Sequence, residues 1–238
     1  GYAVAVKGDT VLVGAYRADA AATDQGAAYV FALRDSQHAA QPKLLANDGA
    51  ADDAFGFAVT ISGDLLAVGV QDAKIGTNIF QGAVYVFTRN GAGWTFQGKI
   101  TAPDGAAEDS FGNAVALSGT TLAIGAYGAD IGGNANQGAV YVFIRNGATW
   151  VMQKKLFAVG IDGLPGDFFG SAIALEGDTL AEAAAFARGL AAKENLVFVH
   201  PYDDPFVVAG QGTVALEMLA DAPDLEFIVA PVGGGGLA

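Results

Sequence analysis

Cysteine is absent from this chain, which excludes disulfides and thiolate metal sites, the usual zinc spacings among them. The compartment stays open on that ground. Basic residues are scarce: 12 Lys and Arg stand against 25 Asp and Glu, for a formal net charge of -13. Such a surface repels phosphate backbones and anionic lipids, and no Lys/Arg run offers a local exception, so nucleic acid is not an expected partner. No apolar run approaches the roughly 18 residues that cross a bilayer, because Asp, Glu, Lys or Gly interrupts each one, and no membrane anchor is expected. A starting Met and a signal-like leader are also missing, and the first residue already lies inside a repeat unit, so the expectation is a chain that begins mid-protein. What is plentiful is core material. With 52% hydrophobic residues over 238 positions, the chain has enough for one large all-β domain or two smaller ones, and disorder is not the expected state.

Self-comparison shows a repeat. Phe55-Gly56-Phe57-Ala58-Val59 returns as Phe111-Gly112-Asn113-Ala114-Val115 and as Phe169-Gly170-Ser171-Ala172-Ile173, while Gly1-Tyr2-Ala3-Val4 is the same unit without its Phe. Gln25-Gly26, Gln81-Gly82 and Gln137-Gly138 each precede a run carrying Tyr29, Tyr85 or Tyr141 in a Y-V-F triplet, at a constant spacing of 56 residues. Trp94 and Trp150 share the spacing, as do the acidic turns that start at Asp48-Gly49 and Asp104-Gly105; a third starts at Asp162-Gly163. In the second unit, apolar alternation over 58 to 61, a turn at Ser62-Gly63-Asp64 and the run 65 to 70 read as a hairpin. The stretches 83 to 88 and 94 to 101 follow as two more strands, with Asn90-Gly91 supplying the positive φ angles of a tight turn between them. Four short strands per unit, separated by Gly turns, describe a propeller blade. The Gly and β-branched content excludes a helical solenoid.

F-G opening each unit, then Q-G-A-x-Y-V-F and a Trp strand, resemble FG-GAP repeats over residues 1 to about 180. The midway Pro of that family is replaced by Tyr16, Gln71 and Tyr127, with Gly14, Gly69 and Gly125 still in place. The resemblance implies an extracellular or cell-surface binding and adhesion module with a protein or glycan ligand, and no enzymatic activity.

Some relatives of that type bind calcium through D-x-D-x-D-G loops, which do not occur here. The nearest candidates are Asp48 with Asp52 and Asp53, Asp104 with Glu108 and Asp109, and Asp162 with Asp167. They read either as weak calcium sites or as turns in which Asp-Gly bends the chain and the second Asp caps backbone N–H groups, and no metal is assigned. Tyr29, Tyr85 and Tyr141 read as core packing rather than a ligand surface. His38, in a loop-like stretch, reads as a solvated side chain.

The repeat breaks near residue 180. Where Val or Ile and then Gly are required, Glu182 and Ala183 stand instead. Ala183, Phe186, Ala187, Leu190 and Ala191 then fall on one helical face, and Thr179 with Glu182 forms a capping box, so the junction reads equally as a β turn or a helix start. A strand at 196 to 199, a helix at 208 to 219 and a strand at 225 to 232 make a βαβ unit that ends in Gly233, Gly234, Gly235 and Gly236. Glycines placed there free backbone N–H groups for an anion. The segments F-V-H-P-Y-D-D-P at 198 to 205, A-G-Q-G-T-V-A-L-E at 209 to 217 and V-A-P-V-G-G-G-G-L at 229 to 237 resemble pyridoxal-phosphate-dependent threonine ammonia-lyases and serine racemases, from about 177 to 238. The resemblance implies that the tetraglycine binds the phosphate of pyridoxal phosphate. His200, Asp203 and Asp204 match a loop motif that reads as structural, with a catalytic pair as the other reading. The family's Schiff-base Lys, in an S-F-K-x-R-G type motif, has no counterpart, since Lys193 stands alone after the junction and outside any such motif.

The expected fold is therefore mainly β, with about three four-stranded propeller-type blades over 1–180 and a short βαβ fragment of a fold-type II pyridoxal-phosphate enzyme over 181–238. The expected function is noncatalytic binding with a truncated lyase-like appendage in a chimeric sequence. No catalytic residue is assigned and no cofactor is expected on the chain as it stands. The alternative is a pyridoxal-phosphate-dependent threonine or serine ammonia-lyase, which would be cytoplasmic. An incomplete ring of blades would leave an edge strand open to self-association.

Overall fold

A computed structural model describes residues 1–34, 37–158 and 163–175, together with Gly189 and Lys193. The chain divides into two units, Gly1–Leu175 and Glu176–Ala238. The first carries every described strand. The βαβ unit expected over 196 to 232 lies outside the described residues, and ahead of it Gly189 and Lys193 have helical backbone, on the stretch whose apolar spacing reads as helical.

Among the described residues, twelve strands form three antiparallel sheets of four, each a meander in chain order. The first holds β1 (Ala3–Lys7), β2 (Thr10–Ala15), β3 (Ala27–Arg34) and β4 (Gln37–Ala40). The second holds β5 (Phe55–Ser62), β6 (Leu65–Val70), β7 (Ala83–Asn90) and β8 (Gly93–Ile100). The third holds β9 (Val115–Ser118), β10 (Thr121–Ala126), β11 (Ala139–Asn146) and β12 (Thr149–Leu156). These are the blades the repeat predicts, and Tyr29, Tyr85 and Tyr141 occupy one register position, opposite Val13, Val68 and Ile124 of the preceding strand.

Two local readings need correction. The loop-like stretch around His38 is strand β4, with Leu33 opposite His38; one short polar strand at a sheet edge carries too little alternation to show in sequence. The hairpin near Asn90 is offset by one residue. Asn90 pairs with Gly93, so Gly91 and Ala92 form the two-residue loop, and only Gly91 takes a positive φ, of 60°. Glycine at the first central position belongs to the II′ class of hairpin turn, not to the Asn-Gly type.

Successive side chains of a strand point to opposite faces, and β6 shows where each face goes. Leu66, Val68 and Val70 pack with Leu12, Val30, Phe55 and Tyr85 between the first and second sheets. Leu65 and Ala67 pack with Phe111, Leu122, Ile124 and Tyr141 between the second and third. A strand buried on both faces reads as an unbroken apolar run, which is why L-L-A-V-G-V lacks the alternation of a half-exposed strand. The sheets are thus stacked layers with two cores, one in each interval.

Candidate functional site

The repeat motifs meet at the joints between sheets. Phe55 N–H donates to the Gln25 carbonyl at 2.8 Å, Phe111 N–H to that of Gln81 at 2.9 Å, and Phe169 N–H to that of Gln137 at 2.8 Å. Each bond belongs to a parallel bridge between the Gly of Gln-Gly and the Phe that opens the next unit. Gly26, Gly82 and Gly138 have φ of +86°, +84° and +84°, and a Cβ on any of them would overlap the carbonyl oxygen of the facing Phe. Only glycine combines that conformation with so close an approach. The Gln side chains, buried, act on the same joint: Gln81 Oε1 and Gln137 Oε1 accept from Asn78 and Asn134, and those amides also donate to the Gly105 and Gly163 carbonyls.

A second recurring group holds each linker to the sheet that follows it. The Tyr85 hydroxyl donates to Asp48 Oδ1, while Lys99 Nζ donates to Asp48 Oδ2 at 2.9 Å. One repeat later, Tyr141 donates to Asp104 Oδ1 at 2.8 Å and Lys155 Nζ to Asp104 Oδ2 at 2.8 Å. Each ammonium also lies about 5 Å from the centre of its Tyr ring, at 5.2 and 5.0 Å, within cation–π range. Phe55 and Phe111 meet those same rings edge-on at 5.5 and 5.3 Å. Burial alone would raise the carboxyls of Asp48 and Asp104, but the hydrogen bonds from Tyr and Lys and the Lys charge outweigh it and hold both below the ordinary carboxylate value. Burial, with the neighbouring Asp hydrogen bond and charge, pushes the Tyr85 and Tyr141 hydroxyls far up. A phenol held so firmly protonated is a donor and not a base.

The second acid of each turn caps backbone, as the capping reading of these turns expects. Asp53 Oδ2 accepts from Ala50 N–H at 2.6 Å, Asp109 from Ala106 at 2.7 Å and Asp167 from Leu164 at 2.6 Å. Burial raises Asp53 and Asp109. No group of three or more potential metal ligands occurs among the described residues. The Tyr rings lie where core packing places them, Tyr85 and Tyr141 buried and Tyr29 half-buried. Reading them as core alone missed the hydroxyls. Sequence also gave the first Asp of each turn no partner, although Lys43, Lys99 and Lys155 recur at the same 56-residue spacing and could have signalled one. Gly233, Gly234, Gly235 and Gly236, and with them His200, Asp203 and Asp204, lie outside the described residues.

The arrangement is one of joints: its polar groups are spent on each other, sheet to sheet and linker to sheet. Comparison with known proteins agrees with that geometry, for the family model described as FG-GAP repeat matches residues 1–31, 39–87 and 94–143, more than half of the chain. The chain belongs to the FG-GAP repeat family. A second family model, pyridoxal-phosphate dependent enzyme, matches residues 166–238, and so begins just ahead of the Phe169-Gly170 of the fourth FG-GAP unit. The curated relatives matched include an L-threonine ammonia-lyase of Thermotoga maritima, 52% identical over 68 residues, 29% of this chain and 17% of that protein. An L-threonine dehydratase biosynthetic IlvA of Haemophilus influenzae is 42% identical over 88 residues, 37% of this chain and 17% of its own length. That of Salmonella typhimurium is 41% identical over 108 residues, 44% of this chain and 21% of its own. The chain thus spans about a fifth or less of the length of these relatives.

Proposed function

We propose that the FG-GAP repeats form part of a β-propeller that acts as a noncatalytic binding or adhesion module outside the cell, with a protein or glycan ligand. The observation that carries this reading is the identical joint: the same bond and the same close glycine approach link sheet one to two and sheet two to three, so each blade is set on the last by one repeated step. Such a device builds a scaffold, and binding falls to the surfaces and clefts it exposes. The same repetition leaves β1 facing outward, and we assign that face to self-association of the chain. Neither nucleic acid nor membrane is proposed as a partner, given the acidic surface.

The lyase-like part is read as an appendage to the repeats, and the whole as a chimera of two unrelated coding sequences that meet within G-D-T-L-A at 177 to 181. Amplification of the source genomic DNA across codons 165 to 195 is expected to give no continuous product; a continuous one sinks the chimera.

A second reading, a threonine or serine ammonia-lyase, is favoured by the 52% identity to the Thermotoga enzyme over 68 residues. In it the backbone N–H groups of Gly233 to Gly236 would hold the cofactor phosphate. Pyridoxal phosphate when bound supplies the electron sink for β-elimination of hydroxide from a hydroxyamino acid. Lys193, the one lysine after residue 175, lies outside the motif that bears the cofactor in that family. Incubation with pyridoxal phosphate, borohydride reduction and peptide mapping separates the readings. Diffuse labelling without threonine-dependent ammonia release is expected, whereas stoichiometric labelling of one Lys with ammonia release replaces the first reading by the second.

A further inference from the structure

Two equivalent clefts recur along the blades, each where the stretch that ends one sheet meets the closing hairpin of the next. The first, of about 360 Å³, has Ala39, Ala40, Gln41 and Pro42 on one side and Ala92 and Gly93 on the other. The second, of about 390 Å³, has Gln97, Gly98 and Thr101 on one side and Ala148, Thr149 and Trp150 on the other. At the repeat spacing, Gly98 stands for Pro42 and Thr149 for Gly93. The second cleft therefore gains a hydroxyl and opens where a side chain is missing: a Cβ on Gly98 would meet nothing within 4 Å. In the third sheet that position is Lys154.

The larger difference is the indole. Trp94 takes no part in lining the first cleft, and its ring is covered by the Arg89 guanidinium, 4.6 Å from the ring centre. Asp64 at 3.1 Å and Thr10 at 3.0 Å hold that guanidinium in place. One repeat later Thr120 stands for Asp64 and Leu65 for Thr10, and Arg145 Nη2 donates instead to Gln97 Oε1, at 3.5 Å. Among the described residues no cation lies over the Trp150 ring. Trp150 is half-buried and lines the second cleft. Its N–H is buried, so the ring offers the cleft carbon and not a donor. Buried Ile100 and Phe143 complete the apolar surface. Lys99, the one charged residue of the lining, has its ammonium on Asp48 at 2.9 Å.

An aromatic wall, a rim of amide and hydroxyl groups that both donate and accept, and no unpaired charge are the complement of a neutral sugar ring, which has an apolar C–H face and a hydroxyl edge. An anionic ligand would find no free cation there and would approach a chain of net charge -13. A wholly apolar one would strip water from Gln97, Thr101 and Thr149 without replacing its hydrogen bonds. We infer that the cleft between the second and third sheets binds a neutral pyranose, its C–H face stacked on Trp150 and its hydroxyls on Gln97, Thr101 and Thr149. The inference rests on the binding-module reading and narrows its ligand to a glycan at one place. The first cleft, lined by alanines and Pro42 without an indole, takes no sugar.

The chain has two tryptophans, so Trp94→Phe leaves Trp150 as its single indole reporter. Fluorescence titration of that full-length variant with the methyl glycosides of glucose, galactose, mannose and N-acetylglucosamine is expected to give a saturable change with at least one of them. Sorbitol, which has hydroxyls but no ring face, should give none. Gly98→Lys, added to Trp94→Phe, copies Lys154 into open space at the cleft and should weaken binding at least about tenfold. In the reverse chain, Trp150→Leu with Trp94 kept, the same glycoside should leave the emission unchanged; Gly98→Lys serves alone if Trp150→Leu fails to fold. No saturable change with any glycoside, sorbitol titrating as they do, binding undiminished by Gly98→Lys, or an equal response from Trp94 overturns the inference. Retention of the full chain on immobilised glycans keeps the two readings apart. Retention that persists in Gly98→Lys removes the cleft and leaves the binding-module reading standing.

Discussion

At the scale of single residues, the five perturbed carboxyls among the described residues divide into two sets with opposite pH behaviour. Asp48 and Asp104 titrate low because Tyr and Lys bind their ionised form. Their contribution is complete above the unfolded carboxylate value, about 4, and is lost as pH falls through the lower folded value. Asp53, Asp72 and Asp109 titrate high because burial penalises their charge. They oppose folding at neutral pH, and that penalty is relieved as pH falls through their raised values toward about 4. Relief of the self-repulsion of a chain carrying -13 acts in the same direction. The melting temperature is therefore expected to rise on acidification from pH 7 to about 5 and to fall below about 4. Asp48→Asn with Asp104→Asn should flatten the acid limb of that curve in a calorimetric pH series; an unchanged acid limb removes the clamp from the account. The same residues bear on calcium. Asp48 and Asp104 already serve Tyr and Lys, while Asp53 and Asp109 serve backbone N–H groups. Melts in excess calcium and in chelator are expected to coincide within about 2 °C, a shift that corresponds to no more than about 1 kcal/mol in a domain of this size.

At the scale of elements, strands were legible and joints were not. Blades showed in the sequence because each strand writes its own pattern of apolar residues bounded by Gly turns, and because three copies repeat it. The clamp pairs residues 37 and 51 positions apart, a separation on which no local period bears. The Q-G and F-G motifs were visible as letters, yet their meaning as two halves of one parallel bridge required the neighbouring sheet. The joint makes a sharp stability prediction. Gly82→Ala places a Cβ at a φ of +84° against the Phe111 carbonyl, and is expected to cost at least about 2 kcal/mol in urea unfolding. Gly98 lies on β8 with nothing within 4 Å of an added Cβ and no positive φ. Gly98→Ala should be neutral or stabilising by up to about 1 kcal/mol. Equal costs at the two sites would mean that the joint is not a fixed contact.

At the scale of the molecule, the repeat supplies its own measure of what is uncovered. Val6 of β1 corresponds to Ile61 of β5 through the shared Gly1-Tyr2-Ala3-Val4 and Gly56-Phe57-Ala58-Val59 registers. Ile61 is 7% exposed because the first sheet packs over it, whereas Val6 is 61% exposed and Val4 64%. The difference is the area that a preceding blade covers. An apolar face on an unpaired edge strand is a template for another chain. The surface able to cover it in a second copy is a different one, the far side of the last sheet, where Val151 and Leu156 of β12 are exposed at 51% and 40%. Contacts between unlike faces close into a ring where the rotation per copy divides a full turn and otherwise propagate into an open series. Sedimentation velocity on the purified chain is accordingly expected to show a weight-average mass that rises with concentration above that of the monomer. Val4→Lys combined with Val6→Lys puts two charges on that face, which cannot be buried unpaired against another chain. It should return the chain to monomer, with its melting temperature changed by no more than about 3 °C because the altered side chains are exposed. A wild-type chain that stays monomeric across the same range would show that this face is already covered and that the outward orientation of β1 has no consequence for assembly.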